Sequence, residues 1–219
     1  MIFFLALQNL SALDITNKEA GFDFRGEYSR SLLYAIDFSG SAAIELNDLY
    51  TFRGGLSLGA AGGSFDIKLF TRFEAGPVFK VLRFSLAYVY NGLPGYGAHS
   101  HTLLPLVSVN GRWAGISIGP GIRFTRYFGE TTVFESVLSL WGYVNFVNND
   151  KLVIGISAAN FTDFYVGNMG SYSIRLNSLL RINDQWAIIN DLELLQSGSI
   201  GLTASFYGIA YRGGFRFTW

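Results

Sequence analysis

The chain has 219 residues, of which 50% are hydrophobic, 16% aromatic and only 15% charged. Acidic and basic residues balance at 16 each and there is no cysteine, so the sequence offers no disulfide framework, no thiolate metal site and no basic surface for nucleic acid. A soluble domain averages about 25% charged residues, yet no stretch here approaches the ~18–20 uninterrupted apolar residues of a membrane helix. The remaining options are a soluble all-β protein or a closed barrel in lipid, since only helices and barrels satisfy their backbone groups there.

The first dozen residues, Met1-Ile-Phe-Phe-Leu-Ala-Leu-Gln-Asn-Leu-Ser-Ala12, have the apolar run and small-residue end of an export signal. No Lys or Arg precedes the run, which departs from that pattern and leaves an ordinary N-terminal strand as the alternative. The polar segment Asp14 to Ala20 separates it from a barrel domain expected over 13–219.

From Gly21 onward apolar and polar residues alternate, the period-2 signature of strands. Tyr50, Phe52, Gly54, Leu56 and Leu58 share one face, with Thr51, Arg53, Gly55, Ser57 and Gly59 on the other. Phe65, Ile67, Leu69, Thr71 and Phe73 repeat the pattern against Asp66, Lys68, Phe70, Arg72 and Glu74. Short turns are expected at Asn47-Asp48, Glu74-Ala75-Gly76-Pro77, Asn110-Gly111, Asn148-Asn149-Asp150 and Asn183-Asp184-Gln185. Breaks near Ser29–Ser31, Ala60–Ser64, Asn91–His101, Tyr127–Thr131, Asn160–Gly170 and Gln196–Ser199 take turns with them, and several are longer. Short turns on one side and longer loops on the other describe an up-and-down antiparallel transmembrane barrel. The count is about twelve strands, with ten or eight as alternatives.

The charges keep to one parity. Arg25, Glu27, Asp37, Arg53, Asp66, Lys68, Arg72, Arg83, Arg123, Glu135, Arg175, Asp191, Glu193, Arg212 and Arg216 all fall on the polar face and are the predicted pore-lining residues. Asp23, Glu45, Glu74 and Arg181 share that face, and Lys80 is the nearest to an exception. Alternation alone does not say which face is inside. The polar face is rich in Gly, Ser and Ala, as a crowded lumen requires, and its charges are mixed in sign. The apolar face carries Tyr50, Phe146 and Trp186 beside short turns, and Tyr28, Tyr34, Tyr88, Tyr90, Phe124, Phe134 and Tyr172 beside the longer loops. Two aromatic girdles are expected where lipid meets water. The oily face therefore points outward.

Two features could add to a plain barrel. Pro105 and Pro120 fall in partner strands, where proline removes a ladder donor, so they predict either a shaping bulge or a breach for lateral exit of a hydrophobic molecule. His99 and His101, at i and i+2, are the only histidines. Such a pair could ligate a metal or serve a nucleophile, but no third ligand or nucleophile goes with it. An exposed loop position and a non-enzymatic chain are expected, with no cofactor and no metal.

The chain ends Tyr211-Arg-Gly-Gly-Phe-Arg-Phe-Thr-Trp219, with Tyr211, Phe215, Phe217 and Trp219 on one parity. This resembles the C-terminal insertion signal of bacterial outer-membrane β-barrel proteins of the porin-like class, with Trp where Phe is more usual. The resemblance implies export, assembly by the barrel-assembly machinery through the last strand, and residence in outer-membrane lipid with loops facing the surface.

Twelve strands ~4.8 Å apart and tilted ~40° enclose a backbone diameter of about 24 Å, leaving a gap of order 12 Å between side chains unless it is blocked. Nothing in the sequence is long enough for a plug domain. The expected function is a narrow, charge-lined channel for passive passage of small polar solutes. The alternatives are transport of a hydrophobic molecule with lateral exit through the proline-interrupted strand, lumen charges that merely neutralise one another, and, least favoured, a lipid-modifying enzyme.

Overall fold

The computed structural model describes residues 14–30, 33–78, 81–127, 132–167, 170–198 and 205–219. The expected export segment and Lys80 lie outside them. Twelve antiparallel strands run β1 (Ile15–Ser29), β2 (Leu33–Leu46), β3 (Tyr50–Ala61), β4 (Ser64–Val78), β5 (Leu82–Leu93), β6 (Ala98–Asn110), β7 (Ala114–Arg126), β8 (Thr132–Asn148), β9 (Leu152–Ala159), β10 (Ser171–Arg181), β11 (Trp186–Ser197) and β12 (Ser205–Thr218). Each pairs with its chain neighbours, and β1 closes on β12, from Glu19↔Thr218 to Ser29↔Gly208. Closure leaves no unpaired edge, which lipid would not tolerate.

Burial alternates along every wall strand as the period requires. On β1, Asp23 and Ser29 are buried while Phe22, Phe24 and Tyr28 are exposed; on β12, Ala210 is buried while Ile209, Tyr211 and Phe215 are exposed. The ionised residues of the wall face inward and most of the large apolar ones outward. That order is the reverse of a soluble barrel and marks a transmembrane wall. Aromatics gather at both rims: Trp186, Phe217 and Trp219 stack in series at the turn end, with centroids 4.7 and 5.3 Å apart, and Tyr28 meets Tyr34 at 5.4 Å at the loop end.

Two expected breaks are shorter than the composition suggests. The segment Glu74-Ala75-Gly76-Pro77 belongs to β4, which runs on to Val78 through an irregularity in the β4–β5 pairing between Ala75 and Val78. The run Asn91–His101 contracts to one 3-10 turn, Pro94–Tyr96, closed by Gly97 in the left-handed region. His99 and His101 therefore stand on β6 rather than in a loop.

The β9–β10 connection does something the turn pattern does not predict. Strand β9 stops at Ala159, well short of the loop-end reach of β8, because the chain leaves the wall at Asn160 and folds into the lumen. Asn160 takes the place of a strand residue against β8: its N–H donates to Leu140 O at 3.1 Å, its Oδ1 accepts from Leu140 N at 2.7 Å, and its Nδ2 donates to Leu138 O at 2.6 Å. Beyond it a small hairpin forms, with Phe161 bridged to Val166, Gly167 N donating to Asn160 O at 2.6 Å and Thr162 N to Tyr165 O at 2.6 Å. Asp163 and Phe164 form the tip.

Candidate functional site in the lumen

The hairpin reaches across the barrel. Phe164 sets its ring edge-on against Phe70 of β4, centroids 4.8 Å apart. Gly55 of β3 makes room for both rings: a Cβ there would lie 2.5 Å from Phe70 Cε1, 3.1 Å from Phe164 Cζ and 2.6 Å from the Gly40 carbonyl oxygen. Phe161 and Val166 pack with Phe70, Ala87, Val89, Leu104, Leu106 and Val137 in one buried apolar cluster, flanked by Trp141. Arg123 of β7 donates to Val166 O and so ties the hairpin to the wall. The open gap expected from strand number is therefore filled on the β4–β8 side.

Asp163 at the tip meets the charged side of the lumen. Its carboxylate pairs with Arg72 of β4 at 3.0 Å and with Arg53 of β3 at 4.0 Å. Burial pushes the carboxyl up, but the guanidinium groups of Arg72, Arg53, Arg212 and Arg216 outweigh it and hold the group below its ordinary value. Arg72 has no other carboxylate among the ion pairs described, and its buried Nε has no hydrogen-bond partner among the described residues.

The predicted pore-lining residues other than Arg72 divide into four groups. Toward the loop end, Arg25 pairs with Glu27, Asp37 and Glu193 at 2.8, 3.7 and 3.2 Å, Lys68 bridges Asp37 and Asp66 at 2.6 and 3.0 Å, and Arg175 meets Glu193 at 3.0 Å. Nearer the middle, Arg212 and Arg216 share Asp23 at 2.9 and 3.0 Å, and Arg212 also lies 3.6 Å from Asp191. Toward the turn end, Arg83 holds Glu74 at 2.6 Å and Arg53 reaches Glu19 at 3.6 Å. Arg123 and Glu135 pair at 3.4 Å, Glu135 being well exposed, and belong more to the hairpin anchor than to the lumen interior. Such pairing is what an enclosed charge requires whether or not anything passes, because stranding one partner costs about 3–5 kcal/mol.

Below the hairpin the lumen is hollow. A cavity of about 610 Å³ reaches from Asn110, Tyr143 and Asn145 near the turn rim up to Leu106, Trp141, Phe161 and Asp163, with Arg175, Asp191 and Arg212 on its far wall. A second, of about 290 Å³, opens beside it between Asn17, Glu45, Thr51 and Arg53. Both are lined by Arg72, Glu74 and Arg83. Of the predicted lining residues, Arg53, Arg72, Arg83, Arg175, Asp191 and Arg212 reach this space. Arg25, Glu27, Asp37, Asp66, Lys68, Glu193 and Arg216 sit in the ion-pair network instead.

The prolines and histidines lie on the outer wall. Pairing between β6 and β7 runs from His99↔Arg126 to Leu103↔Ile122 and resumes at Val107↔Ile118, so the intervening register sets Pro105 opposite Pro120. No pairing is recorded across those three positions, since neither proline has an N–H to give. The strands stay close there: a Cβ on Gly119 would collide with the Pro105 carbonyl oxygen. His101 Nδ1 hydrogen-bonds the Tyr88 hydroxyl at 2.7 Å, with the Tyr90 and His99 rings at 5.2 and 5.5 Å. This group faces outward at the loop rim, away from the lumen.

Sequence reasoning missed the hairpin residues. Phe161, Phe164, Tyr165 and Val166 were the available signal, because a connection meant for water has no use for four apolar residues in six.

No protein-family model matches the chain, and no curated protein matches it by sequence. Solved structures do share its fold. The NanC porin superposes with TM-score 0.62 at 10% identity, covering 90% of this chain and 98% of that one. The translocator domain of the autotransporter NalP from Neisseria meningitidis gives 0.57 at 14% identity over 99% and 95%. The KdgM porin gives 0.54 at 11% over 90% and 98%, and a structure of it in complex with disordered oligogalacturonate gives 0.56 at 10%. The chain thus shares the fold of these outer-membrane barrels, a closed, twelve-stranded antiparallel barrel. The similarity covers the fold, and the lumen contents must be read from this chain's own residues.

Proposed function

We propose that the protein is a narrow, charge-lined channel for passive diffusion of small polar solutes, with the β9–β10 hairpin as its constriction. The observation that carries this reading is the turn-side cavity of about 610 Å³. It is separated from the loop end by eight residues of hairpin rather than by the wall. Opposed Arg and carboxylate groups around it set a transverse field that sieves polar solutes. The porins among the structural relatives support the reading, and one of them, the KdgM porin, was solved in complex with disordered oligogalacturonate. On this reading the chain is not an enzyme, its site is the set of lumen charges, and its partners are lipid, the assembly machinery at the C-terminal strand, and the solute.

The test is planar-bilayer recording on purified, heat-modifiable protein. Wild type should give small, infrequent conductance steps in KCl, and Arg83→Gln should change their ion preference. Silence from both wild type and Phe164→Ala, which loosens the constriction, would overturn the reading.

A second reading has its own observation. Pro105 opposite Pro120 interrupts the ladder at mid-strand, and directly inside it lie Leu104 and Leu106, both almost fully buried in the apolar cluster. A hydrophobic molecule could leave the lumen sideways there. Absence of conductance together with acyl chains in the lipid extract of the purified protein would favour this reading over the channel.

A further inference from the structure

Asp163 is the one carboxylate of the hairpin tip, and it sits against two arginines of the wall. Most lumen acids belong to wall strands and have fixed basic partners: Asp23 with Arg212 and Arg216, Glu74 with Arg83, Glu193 with Arg25 and Arg175. Asp163 alone among them rides on a connection between strands rather than on a wall strand. Its main partner, Arg72, keeps a buried Nε with no hydrogen-bond partner among the described residues, so one guanidinium edge is only partly used. A guanidinium donates to both oxygens of a planar carboxylate when geometry allows, and the tethered Asp163 engages Arg72 through NH2, leaving Nε unused. Arg53 approaches from the adjacent strand, and both arginines line the turn-side hollow from which a solute would arrive.

We infer that Arg72 and Arg53 form a binding site for the carboxylate of a small anionic solute, and that Asp163 occludes it as a built-in surrogate until the hairpin withdraws. The inference rests on the channel reading and adds its substrate class. Nearby Glu19 pairs with Arg53 and Arg216, Glu74 pairs with Arg83, and Glu45 of β2 lines the same hollow; none of the three pairs with Arg72 among the described residues, so the charge that withdrawal exposes there has no wall carboxylate of its own. A neutral sugar would gain nothing from that charge. A hydroxy acid would find it together with the Ser and Asn side chains of the cavity, such as Ser157 and Asn177.

The probe is gluconate, with glucose as the uncharged control, titrated by saturation-transfer NMR against folded, detergent-solubilised protein. Asp163→Asn keeps the side chain's size and removes its charge. It should bind gluconate roughly tenfold or more tightly than wild type, the worth of one charge-assisted hydrogen bond, and leave glucose unaffected. Adding Arg72→Gln to that variant should abolish the gain. In bilayers under a KCl gradient, the reversal potential of Asp163→Asn should move toward anion preference. Equal gluconate affinity in wild type and Asp163→Asn would overturn the inference, as would a gain that survives Arg72→Gln. If conductance is present and the gain absent, the surrogate falls and the channel stands. If the gain is present and every variant is silent in bilayers, the carboxylate site stands and the channel falls.

Discussion

Asp163 joins the hairpin tip to the arginines of the lumen. Its carboxyl is held below its ordinary value by Arg72, Arg53, Arg212 and Arg216 against the opposing effect of burial. A group whose docked pKa is depressed favours docking fully at pH above its undocked value, and loses that effect as pH falls through the docked value. The guanidinium groups on β3, β4 and β12 stay charged throughout, so the acid alone titrates in that contact. Glu19, Glu45, Glu74 and Asp191 line the same region, and the pH profile of Asp163→Asn supplies the reference to subtract. Conductance of wild type should therefore stay at its low, neutral-pH level as pH is lowered toward ~3.9, the ordinary aspartate value. Only below that should it approach the Asp163→Asn level. Opening that is complete by pH 5 would show that the arginine cluster does not hold the tip.

The wall strands and the hairpin differ in how far the sequence reveals them. Strand β3 and β4 as far as Phe73 are legible residue by residue, because period-2 alternation acts locally and lipid enforces one parity over the whole wall. Strand β4 already carried a warning. Phe70 sat between Lys68 and Arg72 on the polar parity, and in the structure it points inward as the floor on which Phe164 rests. Leu104, Leu106, Val89 and Val137 broke the polar parity in the same way, on neighbouring strands. A lumen sector lined by such residues needs an apolar guest, and Phe161, Phe164 and Val166 are the guest. Their pairing escaped notice because it is non-local: neither half explains itself without the other. The same packing predicts the outcome of Phe164→Ala. It removes an aromatic pair worth about 0.5–1.5 kcal/mol beyond its buried area, at the hairpin tip and outside the wall ladder. Bilayer recording should show longer and larger openings, while the temperature at which the barrel loses its heat-modifiable gel mobility should change little. A large fall in that temperature with no change in openings would make the hairpin a structural brace rather than a constriction.

At the scale of the molecule, every functional statement depends on the barrel being turned inside out. Leu176 and Asn177 are adjacent on β10 and separate the two faces cleanly. Leu176 is exposed, and its cross-strand partners Ile156 and Leu192 are exposed with it, a row of leucine and isoleucine at mid-strand where a soluble protein would present polar groups. Asn177 faces the cavity and donates to Asp191 Oδ1 at 3.0 Å. An arginine at 176 would have to sit in hydrocarbon near the bilayer centre, at a cost of about 2–4 kcal/mol in a barrel wall. The same arginine one residue further along would enter the aqueous lumen beside Asp191 and gain a partner. Equilibrium unfolding in lipid vesicles should therefore rank Leu176→Arg far below Asn177→Arg, with Asn177→Arg close to wild type. A water-soluble barrel would give the opposite order, since its outer face accepts charge and its interior rejects it. The two substitutions differ by a single step along one strand, so no argument from loop length, strand number or composition can account for a large difference between them. What distinguishes them is which side of the wall touches lipid.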